Sequence, residues 1–179
     1  MKKIELPLTR EIIKELKAGD NCLLTGYLYT ARDAAHQRIC DALKKGEPLP
    51  FDLSGQTIYY AGPTPTKPGQ IIGSIGPTTS GRMDKFTPTL IKHGLLGMIG
   101  KGSRSDAVKR AIQENTAVYF GAVGGAGALI SKCIKSVEVI AYDDLGCEAI
   151  RRLFVEHFPV TVINDCCGND LYLQKKPII

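Results

Sequence analysis

The 179-residue sequence contains no tryptophan, and aromatic residues make up only 7% of it. Lys and Arg outnumber Asp and Glu by 23 to 18, but the basic residues are dispersed and no aromatic residues are interleaved with them. A surface that binds single-stranded nucleic acid needs stacking aromatic side chains along a dense basic groove. The formal charge of +5 therefore favours a small acidic ligand or an acidic partner over nucleic acid.

Long apolar runs are also missing from the sequence. The first residues, Met1 to Leu8, include two lysines and lack the apolar stretch of a signal peptide, and no later segment is long enough to cross a membrane. We therefore expect a cytoplasmic protein with no membrane partner. Because 44% of the residues are hydrophobic, the chain can bury a full core, and we expect residues 1–179 to form a single domain.

The cysteines form no recognisable metal-binding motif. They occur at positions 22, 40, 133, 147, 166 and 167, and no two of them have the C-x-x-C spacing. The adjacent pair Cys166 and Cys167 is poorly suited to chelating one metal ion tetrahedrally. We expect no metal site in this chain, and reduced, mostly buried thiols.

The pattern of apolar residues predicts an α/β fold with a break near Gly62 to Pro68. Before the break we predict strands at 2–6, 21–29 and 56–61, and helices at 9–16 and about 31–44. After it we predict strands near 70–75, 95–99, 117–123, 137–142 and 160–164, and helices near 87–93, 105–114, 126–134 and 146–156. This alternation of strands and helices is typical of a parallel sheet.

The run from Gly76 to Asp84 is the clearest functional motif. It reads Gly-Pro-Thr-Thr-Ser-Gly-Arg-Met-Asp and follows the isoleucine-rich strand predicted at 70–75. Its turn would present the hydroxyl of Thr78 and the amide hydrogens of a glycine-rich loop. The guanidinium of Arg82 can hold a carboxylate through two parallel hydrogen bonds. If this loop stood alone, an ordinary turn with a surface charge would be the preferred interpretation.

A second loop repeats this design after the strand predicted at 95–99, where Lys101 lies between two glycines. Parallel α/β sheets carry their ligand sites at the carboxyl ends of the strands, so two neighbouring strands would bring Arg82 and Lys101 into one crevice. Two such cations suit a dicarboxylate. The pair of loops therefore favours a receptor for a small anionic substrate.

A third motif, Thr30-Ala-Arg-Asp-Ala-Ala-His36, lies at a predicted junction between a strand and a helix. Asp33 and His36 would share one face of that helix, where His36 could support the site indirectly. Thr30 and Asp33 also fit the pattern of a capping box, and we favour that structural role for Asp33.

The glycine cluster at 121–128 follows another predicted strand. A dinucleotide-binding fingerprint would need a small residue at position 130, where the sequence has Ile130. Close packing of a helix, or a nest of amide groups near the substrate, is the preferred interpretation.

These runs, together with Gly97 to Arg104, resemble the β subunit of class I iron–sulfur fumarate hydratase and that of its relative, L-tartrate dehydratase. The resemblance extends over nearly the whole chain, and it implies that the same region also occurs as the C-terminal domain of single-chain enzymes. It implies a three-layer β/β/α domain of the swivelling type, with a parallel central sheet and a smaller antiparallel layer. It also implies a hydro-lyase of the tricarboxylic acid cycle that hydrates fumarate reversibly to malate, with L-tartrate as the alternative substrate.

The same resemblance implies roles for individual residues. Arg32, Arg82 and Lys101 would bind the substrate, and Thr78 would take part in proton transfer. A [4Fe-4S] cluster would be held by three cysteines of a partner α subunit and not by this chain. The protein would then be one half of a hetero-oligomeric enzyme, inactive or nearly so alone. An alternative from a different class is a noncatalytic anion-binding or assembly module.

Overall fold

The structure is a computed structural model, and it describes residues 1–123 and 126–174. The strands are β1 (Lys2–Glu5), β2 (Asn21–Thr30), β3 (Thr57–Tyr59), β4 (Gly97–Gly100), β5 (Val118–Gly121), β6 (Ile134–Ala141) and β7 (Ile150–Asn164). The α-helices are α1 (Arg10–Lys14), α2 (Asp33–Lys45), α3 (Thr87–Lys92), α4 (Asp106–Asn115) and α5 (Gly127–Lys132). Two 3₁₀ segments, Ser80–Met83 and Asp143–Glu148, complete the described elements. No helix within these ranges is long and apolar enough to cross a bilayer.

The prediction of a strand at 70–75 is wrong, because this segment folds as a loop against the proline-rich break. The amide of Thr64 donates to the carbonyl oxygen of Ser74 at 2.9 Å. The two backbones come so close that a Cβ atom on Gly73 would lie 2.1 Å from the carbonyl oxygen of Thr64. Ile72 and Ile75 are buried in the core, although their segment does not join the sheet.

The prediction of a helix at 146–156 is also wrong. Residues from Ile150 onward form the long strand β7, in which Leu153 and Val155 are buried while Phe154 between them is only partly so. That alternation has the period of a strand. The segment forms a strand despite its helical pattern because its backbone hydrogen-bonds to two partner strands, β2 on one edge and β6 on the other. The remaining predicted elements are confirmed with shifted ends, the strand at 160–164 being the last part of β7.

The sheet is mixed, and part of it closes on itself. Strands β1 to β5 pair side by side in parallel, as the alternation predicted, but β7 runs antiparallel to β2, β5 and β6. Because β7 is 15 residues long, it pairs with β2 from Arg151 to Thr161 and with β5 from Thr161 to Asn164. The ladder β2-β3-β4-β5-β7 therefore returns to β2 and forms a ring.

Alternate residues of the ring strands supply two separate cores. Tyr59, Ile99 and Phe120 belong to one cluster, which all five ring strands share. Their sequence neighbours Ile58 and Met98 belong to the other cluster, together with residues of α2, α3 and α4. Burial of such a side chain contributes roughly 1.5–3 kcal/mol. Packing on both faces therefore holds the carboxyl ends of β2, β3 and β4 side by side.

The junction between β2 and α2 is not a capping box, so that prediction is wrong. Arg32 is the N-cap residue of α2 and makes no side-chain capping bond. The hydroxyl of Thr30 instead accepts a hydrogen bond from the amide of Arg151 in β7, at 3.2 Å. The Thr30 hydroxyl, which the local pattern predicted to cap the helix, is therefore used in the contact between β2 and β7. Asp33 lies in the first turn of α2, where its carboxylate is favourable to the helix dipole.

Candidate active site

The loops that carry Thr78 and Lys101 lie side by side beyond the ends of β3 and β4. The amide of Thr78 donates to the carbonyl oxygen of Tyr60 at 2.6 Å, and the amide of Lys101 donates to the carbonyl oxygen of Thr78 at 3.3 Å. The amide of Ser80 donates to the carbonyl oxygen of Lys101 at 2.9 Å, so Thr79 and Lys101 form a single parallel bridge. The two predicted loops therefore meet, although no strand precedes the first of them.

The start of the first loop is held by α5 instead of a strand. The amide of Ile75 donates to the carbonyl oxygen of Gly127 at 3.3 Å. A Cβ atom on Gly127 would lie 2.6 Å from the Ser74 hydroxyl and 3.0 Å from the Gly76 amide nitrogen. Close helix packing, which we predicted for the glycine cluster, is confirmed at Gly127. Gly124 and Gly125, where a nest of amides was the other possibility, lie outside the described residues.

Arg82 connects this loop with the junction at the end of β2. Its Nη2 donates a hydrogen bond to the carboxylate of Asp33, the residue that follows Arg32 in the sequence. The Arg82 side chain is 53% exposed and that of Asp33 is 33% exposed. An exposed ion pair of this kind is weak, so an incoming carboxylate can replace Asp33.

Arg32 immediately precedes Asp33 and has an unused hydrogen-bond donor within the described part of the chain. Its Nε is 3.8 Å from the Oε1 of Glu148, a distance that allows attraction but not a hydrogen bond. Both atoms are buried, and neither has a hydrogen-bond partner among residues 1–123 and 126–174. The Arg32 side chain as a whole is 24% exposed, so an anion would reach it at its exposed part and not at the buried Nε.

The four predicted site residues thus follow three neighbouring parallel strands. Arg32 comes after β2, the Thr78–Arg82 loop rests on the residue after β3, and Lys101 comes after β4. Thr78 is half-buried and Lys101 is exposed. Lys101 forms no ion pair with any residue of the described ranges. The geometry provides three cations and a hydroxyl at one edge of the sheet.

His36 lies behind this edge and does not reach it. It is fully buried against the rings of Tyr60 and Phe86, with ring centroids 5.4 and 5.8 Å away. Burial lowers the pKa of His36 to about 4, so its imidazole is neutral at pH 7. Its Nδ1 is 2.8 Å from the carbonyl oxygen of Arg32, and since a carbonyl only accepts, Nδ1 carries the proton. His36 therefore helps to hold the backbone at Arg32.

The sequence interpretation gave no role to Arg104, which lies beneath the two loops. Its side chain has no exposed surface, and its Nε donates to Asp84 Oδ1 at 2.7 Å. The only sequence signal was its position three residues after Lys101 in a motif that already looked functional. Sequence alone cannot separate a buried arginine from a surface one.

The cysteines differ from the expectation of mostly buried thiols. Cys22 and Cys40 are buried, whereas Cys147 and Cys167 are exposed and the other two are half-buried. Within the described ranges, no group of three or more His, Cys, Asp or Glu side chains could hold a metal ion.

Two of the cations in the candidate site face solvent, since the Arg82 side chain is 53% exposed and Lys101 is exposed. Five cavities of about 250 to 630 Å³ lie elsewhere on the described surface. None of the five is lined by Arg32, Thr78, Arg82 or Lys101. Exposed cations such as Arg82 and Lys101 remain hydrated, whereas catalysis on a small substrate requires exclusion of water.

Comparison with known families agrees with the motifs. The model of the family described as "Fumarase C-terminus" matches residues 1–175. This chain belongs to the fumarase C-terminal family. The resemblance drawn from its sequence motifs is therefore confirmed, and every candidate site residue lies within the matched range.

Relatives of this fumarase C-terminal chain include fumarate hydratases of greater length and a protein named as a β subunit. It is 40% identical over 170 residues to the anaerobic class I fumarate hydratase of Escherichia coli (strain K12), covering 92% of this chain and 31% of that protein. It is 39% identical over 165 residues to fumarate hydratase 2 of Leishmania major, covering 91% and 29%. It is 40% identical over 171 residues to the "Putative L(+)-tartrate dehydratase subunit beta" of Methanocaldococcus jannaschii, covering 92% and 88%. The chain spans about a third of the length of these fumarate hydratases and most of the β subunit.

Proposed function

We propose that this chain is the β subunit of a hydro-lyase that reversibly hydrates fumarate to malate, and that a separate α subunit completes its active site. The observation that carries the proposal is that Arg32, Lys101 and the loop bearing Thr78 and Arg82 follow the carboxyl ends of three neighbouring parallel strands. A fumarase C-terminal chain with this arrangement has the charge to bind a substrate with two carboxylates.

Binding would use the cations that are open to an incoming anion. The Arg82 guanidinium would exchange its exposed Asp33 partner for a substrate carboxylate, with which it can form two parallel hydrogen bonds. Lys101 would supply a second positive charge. Arg32, whose side chain is 24% exposed, would hold the other end of the substrate.

Thr78 would transfer the proton. Hydration adds a hydroxyl group to one alkene carbon of fumarate and a proton to the other. In the reverse direction Thr78 Oγ1 would remove that proton from the carbon next to a carboxylate. The negative charge would then spread onto the carboxylate held by Arg82 and Lys101. A threonine hydroxyl is a poor base in water, so this role requires the cations to stabilise its deprotonated form.

The cluster belongs to the partner in this proposal. The resemblance implies a [4Fe-4S] cluster, but the described residues of this chain offer no set of ligands for one. Its six cysteines are spread through the sequence, and two of them are buried in the cores. The proposal therefore assigns the cluster to cysteines of the α subunit. It assigns to this chain the binding of carboxylates and the transfer of a proton.

Two observations support a hetero-oligomer. The Arg82 and Lys101 side chains are exposed in this chain, so a second surface would have to cover them before water is excluded. The relative from Methanocaldococcus jannaschii, 88% of which is covered by this chain, is also named as a β subunit. We infer that the remainder of the enzyme is supplied by a separate α subunit.

L-tartrate is the alternative substrate, and one observation favours it. The separate β subunit from Methanocaldococcus jannaschii, 88% of which is covered by this chain, is named for L(+)-tartrate. Tartrate is also a C4 dicarboxylate that loses water, so the same cations and hydroxyl would serve. The two substrates differ by one hydroxyl group, and the α subunit would contribute to telling them apart.

The proposal extends to the architecture and location. The two cores on opposite faces of the ring strands support a three-layer β/β/α domain of the swivelling type, formed by residues 1–179 as one unit. We also propose that the enzyme is cytoplasmic.

Anaerobic co-purification of the chain from its source cells tests the proposal. The purified material would be assayed for iron, for fumarate hydration and for L-tartrate dehydration, with each separated subunit as the control. We expect an iron-containing, cysteine-bearing partner, and activity only when both chains are present. A cluster-loaded partner with neither activity would contradict the assigned substrates. The absence of any partner would favour the noncatalytic anion-binding or assembly module.

A further inference from the structure

Arg104 is a cation enclosed by polar and aromatic partners. Besides its ion pair with Asp84, its Nη2 donates to Thr87 Oγ1 at 2.9 Å and to the Tyr60 hydroxyl at 3.2 Å. The second Asp84 oxygen accepts from the amide of Ser105 at 2.7 Å. A charge in such a place is costly unless it is paired, and removing one partner of a buried pair is strongly unfavourable. The geometry around Asp84 is therefore tightly defined.

Two tyrosines, Tyr60 and Tyr119, have their rings beside Arg104, and each of them hydrogen-bonds one part of the candidate site. Its guanidinium carbon is 5.2 Å from the centroid of the Tyr60 ring and 4.7 Å from that of Tyr119. The carbonyl oxygen of Tyr60 accepts the hydrogen bond from the Thr78 amide. The Tyr119 hydroxyl is 2.8 Å from Ser80 Oγ and donates to the carbonyl oxygen of Gly102 at 2.8 Å. One guanidinium thus contacts both residues that anchor the loops.

Asp84 fixes the other end of the same loop. It lies two residues after Arg82, so the ion pair with Arg104 restrains the loop just beyond the proposed substrate-binding arginine. The Thr87 hydroxyl that accepts from Arg104 also donates to the carbonyl oxygen of Met83 at 2.9 Å. Contacts from Arg104 therefore act on both ends of the Thr78–Asp84 segment.

We propose that Arg104 is a positioning residue, which sets the relative placement of Thr78, Arg82 and Lys101 without touching the substrate. The proposal rests on the proposed function for its kinetic readout. Arg104 is fully buried, so it acts through Asp84, Tyr60 and Tyr119. Lysine cannot replace it, because an ammonium group lacks the planar fork that spans Asp84 and Thr87 together.

Arg104→Lys in the assembled enzyme tests this proposal. We expect KM for fumarate to rise about tenfold and kcat to fall about tenfold, since misplacing a bound substrate by 1 Å can cost about a hundredfold in rate. A mere loss of folded enzyme would lower kcat and leave KM unchanged. The matched control is Arg110→Lys, because Arg110 is exposed on the neighbouring helix α4. An unchanged KM in Arg104→Lys would overturn the proposal.

A second variant keeps the test informative if Arg104→Lys fails to fold. Tyr119→Phe removes only the hydroxyl that bonds Ser80 and Gly102, and we expect the same rise in KM with a smaller magnitude. KM equal to that of the wild type in this variant would overturn the proposed link through Tyr119.

A third measurement does not depend on activity. Amide hydrogen exchange of residues 76–84 should become faster in either variant than in Arg110→Lys, while exchange in β2 stays the same. If the wild-type complex hydrates neither fumarate nor tartrate, the proposed function fails, but the exchange comparison still decides the role of Arg104. Unchanged exchange in this loop would contradict it.

Discussion

Arg82 donates a hydrogen bond to the carboxylate of Asp33, and this contact joins the 3₁₀ segment Ser80–Met83 to the first turn of α2, across 49 residues of sequence. Both side chains remain partly exposed, so water and small anions can reach the pair. The arginine proposed to bind substrate is therefore already directed at a carboxylate. A substrate carboxylate would take the place of Asp33 without breaking a buried interaction.

Replacing Asp33 by asparagine removes a negative charge next to the expected position of a dicarboxylate. An exposed pair is worth about 0.2–1 kcal/mol, so we expect KM for fumarate in the assembled enzyme to fall about two- to fivefold, with a smaller change in kcat. Steady-state kinetics would measure both. Asp144→Asn is the control, because Asp144 forms another exposed pair with Arg38. A rise in KM would show that Asp33 instead orients Arg82 for the substrate.

Replacing Arg82 by alanine should lower kcat/KM for fumarate about 10- to 100-fold or more. A charge-assisted hydrogen bond is worth roughly 1.5–3 kcal/mol, and alanine removes it altogether. Because Arg82 is exposed, we expect the melting temperature to change little. Arg38→Ala, which alters an exposed arginine elsewhere, should keep wild-type kinetics. Wild-type kinetics in Arg82→Ala would remove this residue from the site.

Replacing Gly100 by alanine should disturb the Thr78–Asp84 loop from below. A Cβ atom on Gly100 would lie 1.9 Å from Ser80 Oγ and 2.9 Å from Cδ2 of Tyr60, so these groups must move. Overpacking of this kind costs roughly 1–3 kcal/mol in the free energy of unfolding, which urea denaturation would measure. For comparison, a Cβ on Gly81 meets no atom within 4 Å, so Gly81→Ala should unfold at nearly the wild-type urea concentration. Equal stability of the two variants would contradict this explanation of Gly100.

Acid should destabilise the fold through His36. Burial lowers the pKa of His36 from 6.5 to about 4, so between these pH values the unfolded chain binds a proton that the folded chain does not. The free energy of unfolding should therefore fall as the pH falls from about 6.5 to 4, by up to about 3 kcal/mol from this group. Urea denaturation at several pH values would measure it.

The control for this prediction is His36→Asn, whose amide can still donate to the carbonyl oxygen of Arg32. The dependence on pH in that range should be weaker in this variant. If the variant does not fold, nuclear magnetic resonance of the wild-type imidazole would follow its protonation directly. A ring that becomes charged near pH 6.5 would contradict the prediction.

The secondary structure was predictable where the local pattern and the tertiary contacts agree. Helix α4 begins at Asp106 after Ser105, whose hydroxyl caps it, and the sequence signals this start directly. The prediction of a helix at 146–156 was wrong because two neighbouring strands, β2 and β6, pair with this segment. The local pattern of apolar residues contains no information about such distant partners. The strand predicted at 70–75 failed for the opposite reason, because its isoleucines are buried without strand partners.

The sequence by itself determined which residues carry charge and hydroxyl groups in the candidate site. Thr78, Arg82 and Lys101 lie in short glycine-containing segments, which can be recognised from the local sequence alone. Membership of the fumarase C-terminal family follows from the same motifs.

Only the tertiary structure decided how these groups are arranged. The sequence could not show that Asp33 pairs with Arg82, that β7 closes the ring of strands, or that Arg104 is buried beneath the loops. These contacts join residues far apart in the chain, and their free energy depends on desolvation and packing that no local pattern records. The sequence specifies the chemical type of each residue, whereas the burial of a side chain and its hydrogen-bond or ion-pair partners are set only when distant segments pack together.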